Sequence, residues 1–150
     1  MPISIQRLTE AQFDVFVDLV NALAEYEQLE PPTAEAIERL RSDAFGDIPR
    51  FEAFLAYKEN KPIGYAICFE TYSSFLAKPT MYLEDLFVLP DERLQGAGSA
   101  LFDHVLAIAR ERGCGRMEWQ VLDWNELARS FYHHREATWM KEWLPYRITL

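Results

Sequence analysis

The chain has 150 residues, 49% hydrophobic and 26% charged, with a formal net charge of −9 at neutral pH. This fits one domain, residues 1–150, with enough chain to bury a core, and excludes a disordered or fibrous class. The acidic balance excludes the basic face of a nucleic-acid binder, and no apolar run reaches the ~18 residues of a membrane span. The two cysteines, Cys68 and Cys114, are far apart and lack metal-ligand spacing, so neither a disulfide framework nor a metal site is expected. The N-terminus lacks the basic and apolar regions of a signal peptide, so a cytoplasmic location is expected.

Ile3–Gln6 reads as a short opening strand. Thr9-x-x-Gln12 has the form of a capping box, and Phe13, Phe16, Val17, Val20, Leu23 and Ala24 follow as the buried stripe of a first helix. That helix ends in the acidic run Glu25–Glu30, broken by Pro31-Pro32. Thr33 caps a shorter helix to about Ala44. Phe51–Lys58 and Ile63–Tyr72 form a hairpin around the turn Glu59–Pro62. Cys68 lies in the apolar run of the second strand and is expected to be a core thiol. A central strand, about 80–89, ends at Pro90. A long helix carries Leu101, Val105, Ile108 and Phe102, Leu106, Ala109 at helical spacing and stops at Arg112-Gly113. Met117–Leu122 is a further strand, Glu126–His134 a short helix, and Thr138 to the C-terminus a last strand or hairpin. The order β-α-α-β-β-β-α-β-α-β is mixed α/β (α+β), a central sheet flanked by helices.

Between the central strand and the long helix lies Arg93-Leu94-Gln95-Gly96-Ala97-Gly98. A turn of this kind leaves backbone N–H groups unpaired at a helix N-terminus, where the macrodipole adds positive potential. Glycines there let an anion approach the backbone, so a ligand carrying phosphates is expected. The spacing is neither that of a Walker loop nor that of the dinucleotide fingerprint.

The loop resembles the Arg/Gln-x-x-Gly-x-Gly/Ala signature of the GCN5-related N-acetyltransferase (GNAT) superfamily. The resemblance extends to Asn125 with Tyr132 seven residues later in Ala128-Arg129-Ser130-Phe131-Tyr132. Leu23-Ala24-Glu25-Tyr26-Glu27, Phe45-Gly46, Tyr82 to Val88 and Trp124-Asn125-Glu126 are most similar to the spermidine/spermine (diamine) and thialysine acetyltransferases. The resemblance implies the GNAT fold, acetyl-CoA as cosubstrate without a metal, a small cationic amine as partner, and a homodimer. It assigns acetyl-CoA to Leu86, Phe87, Val88, Arg93, Leu94, Gln95, Gly96, Ala97, Gly98, Ser99, Asn125 and Tyr132. It assigns the amine to Tyr26, Glu27, Glu84, Asp85 and Trp124.

The chemistry states what these residues must do. An alkylammonium of pKa ~10.4 is almost wholly protonated at neutral pH, and only the free amine attacks a thioester. A carboxylate can take that proton. The resemblance gives Glu84 this role, with Asp85 on the opposite face by strand alternation and Glu126 as a rival. The apolar residues around Glu84 predict burial and a raised pKa. A phenol of pKa ~10 can protonate the departing thiolate, and the resemblance assigns this to Tyr132. The tetrahedral oxyanion needs a donor, and the resemblance implies a backbone N–H of the central strand near Leu86–Val88. Glu25, Glu27, Glu30, Glu84 and Asp85 are candidates for an acidic pocket, and Tyr26 and Trp124 for cation–π contacts to an alkylammonium chain.

Three departures stand out. Leu94 replaces a glycine common in the family, Glu136 stands where Phe-Tyr-x-x-x-Gly-Ala would have glycine, and Ser73-Ser74-Phe75 replaces the Asp-Pro-Trp of the polyamine enzymes. The expected activity is acetyl transfer from acetyl-CoA to a polyamine, diamine or thialysine/lysine-like amine by direct attack in a ternary complex. A protein amine acetyltransferase and a non-catalytic CoA-binding regulatory domain are the alternatives.

Overall fold

The computed structural model describes residues 2–150. They form two compact units, the first ending at Trp119 and the second running from Gln120 to Leu150.

The first unit is built on a five-stranded sheet in the order β1-β2-β3-β4-β5. Its strands are β1 (Ile3–Arg7), β2 (Glu52–Lys58), β3 (Lys61–Ser73), β4 (Lys78–Val88) and β5 (Arg116–Glu118). β1 to β4 pair antiparallel, and β5 runs parallel to β4. Three helices belong to this unit: α1 (Phe13–Glu27), α2 (Ala34–Phe45) and α3 (Ala97–Glu111). The capping box precedes α1 as expected, the Thr9 N–H donating to Gln12 Oε1 at 3.2 Å. The Ala36 N–H donates to Thr33 Oγ1 at 3.1 Å at the start of α2. α1 buries Phe13, Phe16 and Leu19, while Val17, Val20, Leu23 and Ala24 of the expected stripe are half-buried. Burying side chains of this size stabilises the fold by about 1.5–3 kcal/mol each. α1 ends at Gln28 in the left-handed conformation, where the Leu29 N–H reaches back to the Ala24 carbonyl. α3 buries Ala97, Leu101, Phe102, Val105 and Ala109, and Gly113 at φ 73° closes it. Cys68 is buried, and burial pushes its thiol up to about 12, so it is an inert core group.

In the second unit, α4 (Glu126–His134) has the expected bounds. The Asn125 carboxamide caps it, accepting the Ala128 N–H at 3.2 Å.

Two expectations are corrected. The strand expected over Met117–Leu122 is only Arg116–Glu118, because its ladder with β4 covers only Thr80–Tyr82. The expected last strand from Thr138 does not form, since residues 138–150 carry no regular structure. A strand needs a neighbour for its N–H and C=O groups, and Pro145 removes a donor from the middle of this run. No helix among the described residues is long and apolar enough to cross a membrane.

Candidate active site

The site begins where the sheet opens. β4 has eleven residues, yet β5 accompanies it only along Thr80–Tyr82. From Leu83 onward that edge of β4 carries no ladder. On the other edge the Leu89 N–H donates to the Ile63 carbonyl at 2.8 Å. Alternation along an extended chain then turns Phe87 toward β3 and the N–H groups of Leu86 and Val88 toward the open edge. Phe87 and Val88 have buried side chains, so in this stretch the backbone is the available polar surface.

The glycine loop follows. A short turn, Pro90–Glu92, leads into Arg93, and Gly96 at φ 95° is the N-cap of α3. The first N–H groups of a helix have no partner within it, here those of Ala97, Gly98 and Ser99. The first turn of α3 holds no acidic residue that would compete for them. A Cβ at Gly96 would meet nothing within 4 Å, and at Gly98 only Val88 Cγ2 at 3.9 Å. The protein's own atoms therefore leave space at this helix end, and the positive φ at Gly96 is the constraint that favours glycine.

Charged side chains fix the loop. Lys58 Nζ donates to Glu92 Oε2 at 2.5 Å and to Gln95 Oε1 at 3.0 Å, and Lys61 Nζ to Glu92 Oε1 at 2.9 Å. The Lys58 and Lys61 ammonium groups hold the Glu92 carboxyl below the usual range. Sequence reasoning missed this clamp, which joins residues more than thirty positions apart with no local motif. The Arg93 Nε–H donates to the Val88 carbonyl at 2.9 Å, and its guanidinium lies over the rings of Tyr26 at 4.3 Å and Phe87 at 5.6 Å. Arg93 thus ties the loop to both α1 and β4. Leu94 is exposed at φ 64°, a left-handed conformation costly for a residue with a Cβ.

The carboxylates come from β4 and α1. Ile67 pairs with Asp85 and Cys68 with Leu83, so Glu84 falls in the register shift as an extra residue. Glu84 is exposed, which overturns the expectation of burial: the bulge, rather than the apolar flanks, decides where it sits. Asp85 is half-buried, and the hydroxyl of fully buried Tyr65 donates to its Oδ2 at 2.9 Å. Burial raises the Asp85 carboxyl to about 6, against the lowering effect of the Tyr65 hydrogen bond and with help from the Glu84 and Glu27 charges. Burial also raises Glu27, at the end of α1. Tyr26, its neighbour, packs on Phe87 with ring centroids 6.1 Å apart. The first unit therefore brings together Tyr26, Glu27, Glu84, Asp85, Leu86–Val88 and the loop Arg93–Ser99. Tyr65 was not singled out from the sequence, where it reads as one more aromatic of a core strand.

In the second unit, Tyr132 is half-buried, with its ring 5.5 Å from that of Phe131. Trp124 is exposed just ahead of α4. Glu136 follows that helix at φ 60°.

Residues 16–136 match the model of the acetyltransferase (GNAT) family. The chain is an acetyltransferase of the GNAT family. It is 32% identical over 138 residues to the thialysine N-epsilon-acetyltransferase of Bos taurus, covering 87% of this chain and 81% of that protein. It is 41% identical over 103 residues to the L-ornithine N5-acetyltransferase of Arabidopsis thaliana, covering 67% of this chain and 45% of that one. The fold is shared with a metagenomic aminoglycoside acetyltransferase crystallised with sisomicin, at a TM-score of 0.82 and 22% identity, over 99% of this chain and 96% of that one. Membership favours the enzymatic reading over the non-catalytic alternative.

Proposed function

We propose that this acetyltransferase moves the acetyl group of acetyl-CoA to the primary amine of a small cationic substrate, by direct attack in a ternary complex. The observation that carries the reading is the divergence of β5 from β4 after Tyr82. It leaves β4 backbone donors without a ladder partner on the edge that leads to the glycine-capped helix, in the strand that carries Glu84 and Asp85. The α3 N-terminus and its glycine loop are suited to the pyrophosphate. The N–H groups of Leu86 and Val88 are suited to pantetheine and to the oxyanion that forms on the thioester carbonyl. The acidic groups, with the Tyr26 ring, favour an ammonium over a neutral or anionic acceptor. Polyamines, diamines and thialysine- or lysine-like amino acids have that chemistry, and the names of the bovine and Arabidopsis relatives point to amino acids with a side-chain amine.

Two further roles belong to this reading. A carboxylate of the Glu84–Asp85 pair deprotonates the amine, Glu84 being the one the family resemblance favours. Tyr132, with Asn125 at the cap of its helix, gives the leaving thiolate its proton. The working form is a homodimer in the cytoplasm, as the resemblance implies. The test is release of free CoA thiol from acetyl-CoA across a panel of polyamines, diamines, ornithine, lysine and thialysine, beside neutral and anionic acceptors. Turnover confined to the cationic amines is the expected result. Turnover of a peptide N-terminus or protein lysine in preference to all of them would replace the small-amine reading.

A further inference from the structure

We propose that Arg93, a residue of the glycine loop, is also a positioning residue for the amine: stacked on the Tyr26 ring, it holds the C-terminal end of α1, and with it the Glu27 carboxylate, beside β4. The inference deepens the amine-acetyltransferase reading and rests on it.

α1 is well anchored at one end only. Its buried residues, Phe13, Phe16 and Leu19, all lie in its first half. Val20 and Leu23 are packed on the core but only partly buried, and no residue from Val20 to Glu27 is fully buried. Residues 28–31 beyond the helix are exposed. A helix end with few buried contacts opens at low cost. In the last turn the contacts come from the ring of Tyr26. It lies 6.1 Å from the Phe87 ring, and the Arg93 guanidinium carbon stands 4.3 Å from its centroid and 5.6 Å from that of Phe87. Arg93 is itself fixed, since its Nε–H donates to the Val88 carbonyl at 2.9 Å. One side chain from the loop therefore joins a three-member stack between α1 and β4.

What the stack fixes is Glu27, the residue after Tyr26 and the last of α1. The Glu27 charge acts on both Asp85 and Tyr65, which sets its carboxylate within electrostatic reach of the β4 acid. Neither Glu27 nor Asp85 forms an ion pair among the described residues, although a guanidinium stands on the ring next to Glu27. Arg93 therefore holds α1 through the Tyr26 ring and not through an acid, and both carboxylates stay uncompensated by a cation of the protein. Hydrogen bonds to an ammonium weaken steeply with distance and angle, so the affinity that Glu27 lends a cationic substrate depends on where the end of α1 stands. That position is set from the loop. Losing the stack removes ground-state binding of the amine and leaves the chemical step in place, which is a change in KM and not in kcat.

The experiment is steady-state CoA-thiol release with the best amine of the panel, giving kcat, the KM for acetyl-CoA and the KM for the amine at saturating acetyl-CoA. The variants are Tyr26→Leu, Tyr26→Phe, Arg93→Gln, the Tyr26→Leu/Arg93→Gln double variant and Glu27→Gln. Tyr26→Leu and Arg93→Gln are each expected to raise the amine KM by about three- to thirtyfold, the loss of one partly buried cation–π contact. Arg93→Gln should raise the KM for acetyl-CoA as well, because its residue belongs to the loop. Tyr26→Phe, which keeps the ring, should retain most of what Tyr26→Leu loses. The double variant should show no more than the larger single effect on the amine KM, because both changes break the same contact. Glu27→Gln should raise the amine KM and leave that for acetyl-CoA in place. Effects on the amine KM that multiply in the double variant would overturn the inference, since Tyr26 would then meet the amine directly. An amine KM unmoved in Glu27→Gln would do the same, as would Tyr26→Phe behaving like Tyr26→Leu. Thermal unfolding of each variant separates loss of fold from loss of binding. Should Arg93→Gln fail to fold, Arg93→Lys takes its place in the cycle, and a Tyr26→Leu effect of equal size in the arginine and lysine backgrounds overturns the inference. A wild-type enzyme that turns over no amine would instead bring down the amine reading itself.

Discussion

Asp85 makes a stability prediction that does not depend on turnover. Its carboxyl is lifted from its usual 3.8 to about 6 by burial, the Tyr65 hydrogen bond notwithstanding. A carboxyl whose pKa is raised by folding binds its proton more tightly in the folded chain. Below about pH 4 it is neutral in both states and costs nothing. Between 3.8 and about 6 the unfolded chain ionises first, and folding stability falls as pH rises. Above about 6 the loss is complete, and a shift of this size at about 1.36 kcal/mol per unit comes to about 3 kcal/mol. Asp85→Asn removes the charge and keeps an acceptor for Tyr65, but adds a carboxamide N–H₂ that needs a partner, at a cost of about 1 kcal/mol. The expected outcome is a protein more stable than wild type by roughly 1–3 kcal/mol at pH 8, a rise of about 2–4 °C in Tm per kcal/mol, with no gain at pH 4. Denaturant unfolding followed by circular dichroism at both pH values measures it. A variant less stable at pH 8, or one stabilised equally at pH 4 and pH 8, would refute the argument that Asp85 is held against its ionisation preference.

The other predictions concern the loop and the acid. Gly98→Val should weaken acetyl-CoA binding by roughly 1 kcal/mol or more with little loss of stability, because its Cβ finds only an ordinary contact inside the protein while obstructing phosphate approach; isothermal calorimetry checks it, and unchanged affinity in a folded variant removes the loop from the site. Glu92→Gln loosens the clamp from Lys58 and Lys61, so the KM for acetyl-CoA should rise several-fold with kcat little changed, and an equal fall in both kcat and kcat/KM would show that the clamp acts on chemistry instead. Tyr132→Phe keeps its ring beside Phe131 and should lower kcat by ~10²–10⁴-fold at unaltered acetyl-CoA affinity; steady-state turnover at the wild-type rate would give the acid role to another group. Leu94→Gly should leave stability within about 1 kcal/mol of wild type, since relief of the left-handed backbone offsets the added freedom of the unfolded chain, and a larger loss in thermal unfolding would mean that the exposed side chain makes a contact of its own.

The elements legible in the sequence were those with local signals. Thr9 with Gln12, Thr33, Pro31-Pro32 and Gly113 mark helix ends by chemistry confined to a turn or so, and the short helix α4 follows Asp123-Trp124-Asn125 with the bounds expected of it. What was not legible depends on pairing. The residues around Glu84 are apolar, and burial follows from them only if strand alternation continues through the position. The register shift opposite Ile67 and Cys68 interrupts it. The sequence from Thr138 onward has the composition of a strand but no ladder partner in its unit, and composition cannot supply one. Tyr65 and the Lys58–Glu92–Lys61 clamp are products of the β2–β3–β4 meander, which sets side chains from distant positions side by side. The glycine loop was recognisable because its requirement, space and positive φ at a helix start, is written in the glycines themselves.

Leu94 and Glu136 sit at the two places where the chain lacks a glycine that its family resemblance would supply, and their φ angles are 64° and 60°. The letters differ while the backbone keeps the shape that glycine would have taken. A motif written in residue names therefore understates this family's loops, whereas one written in dihedral angles would recover both turns. The same reasoning makes the two positions the places where glycine can be restored without a change in the path of the main chain, the relief of left-handed strain being set against the extra freedom glycine gives the unfolded chain.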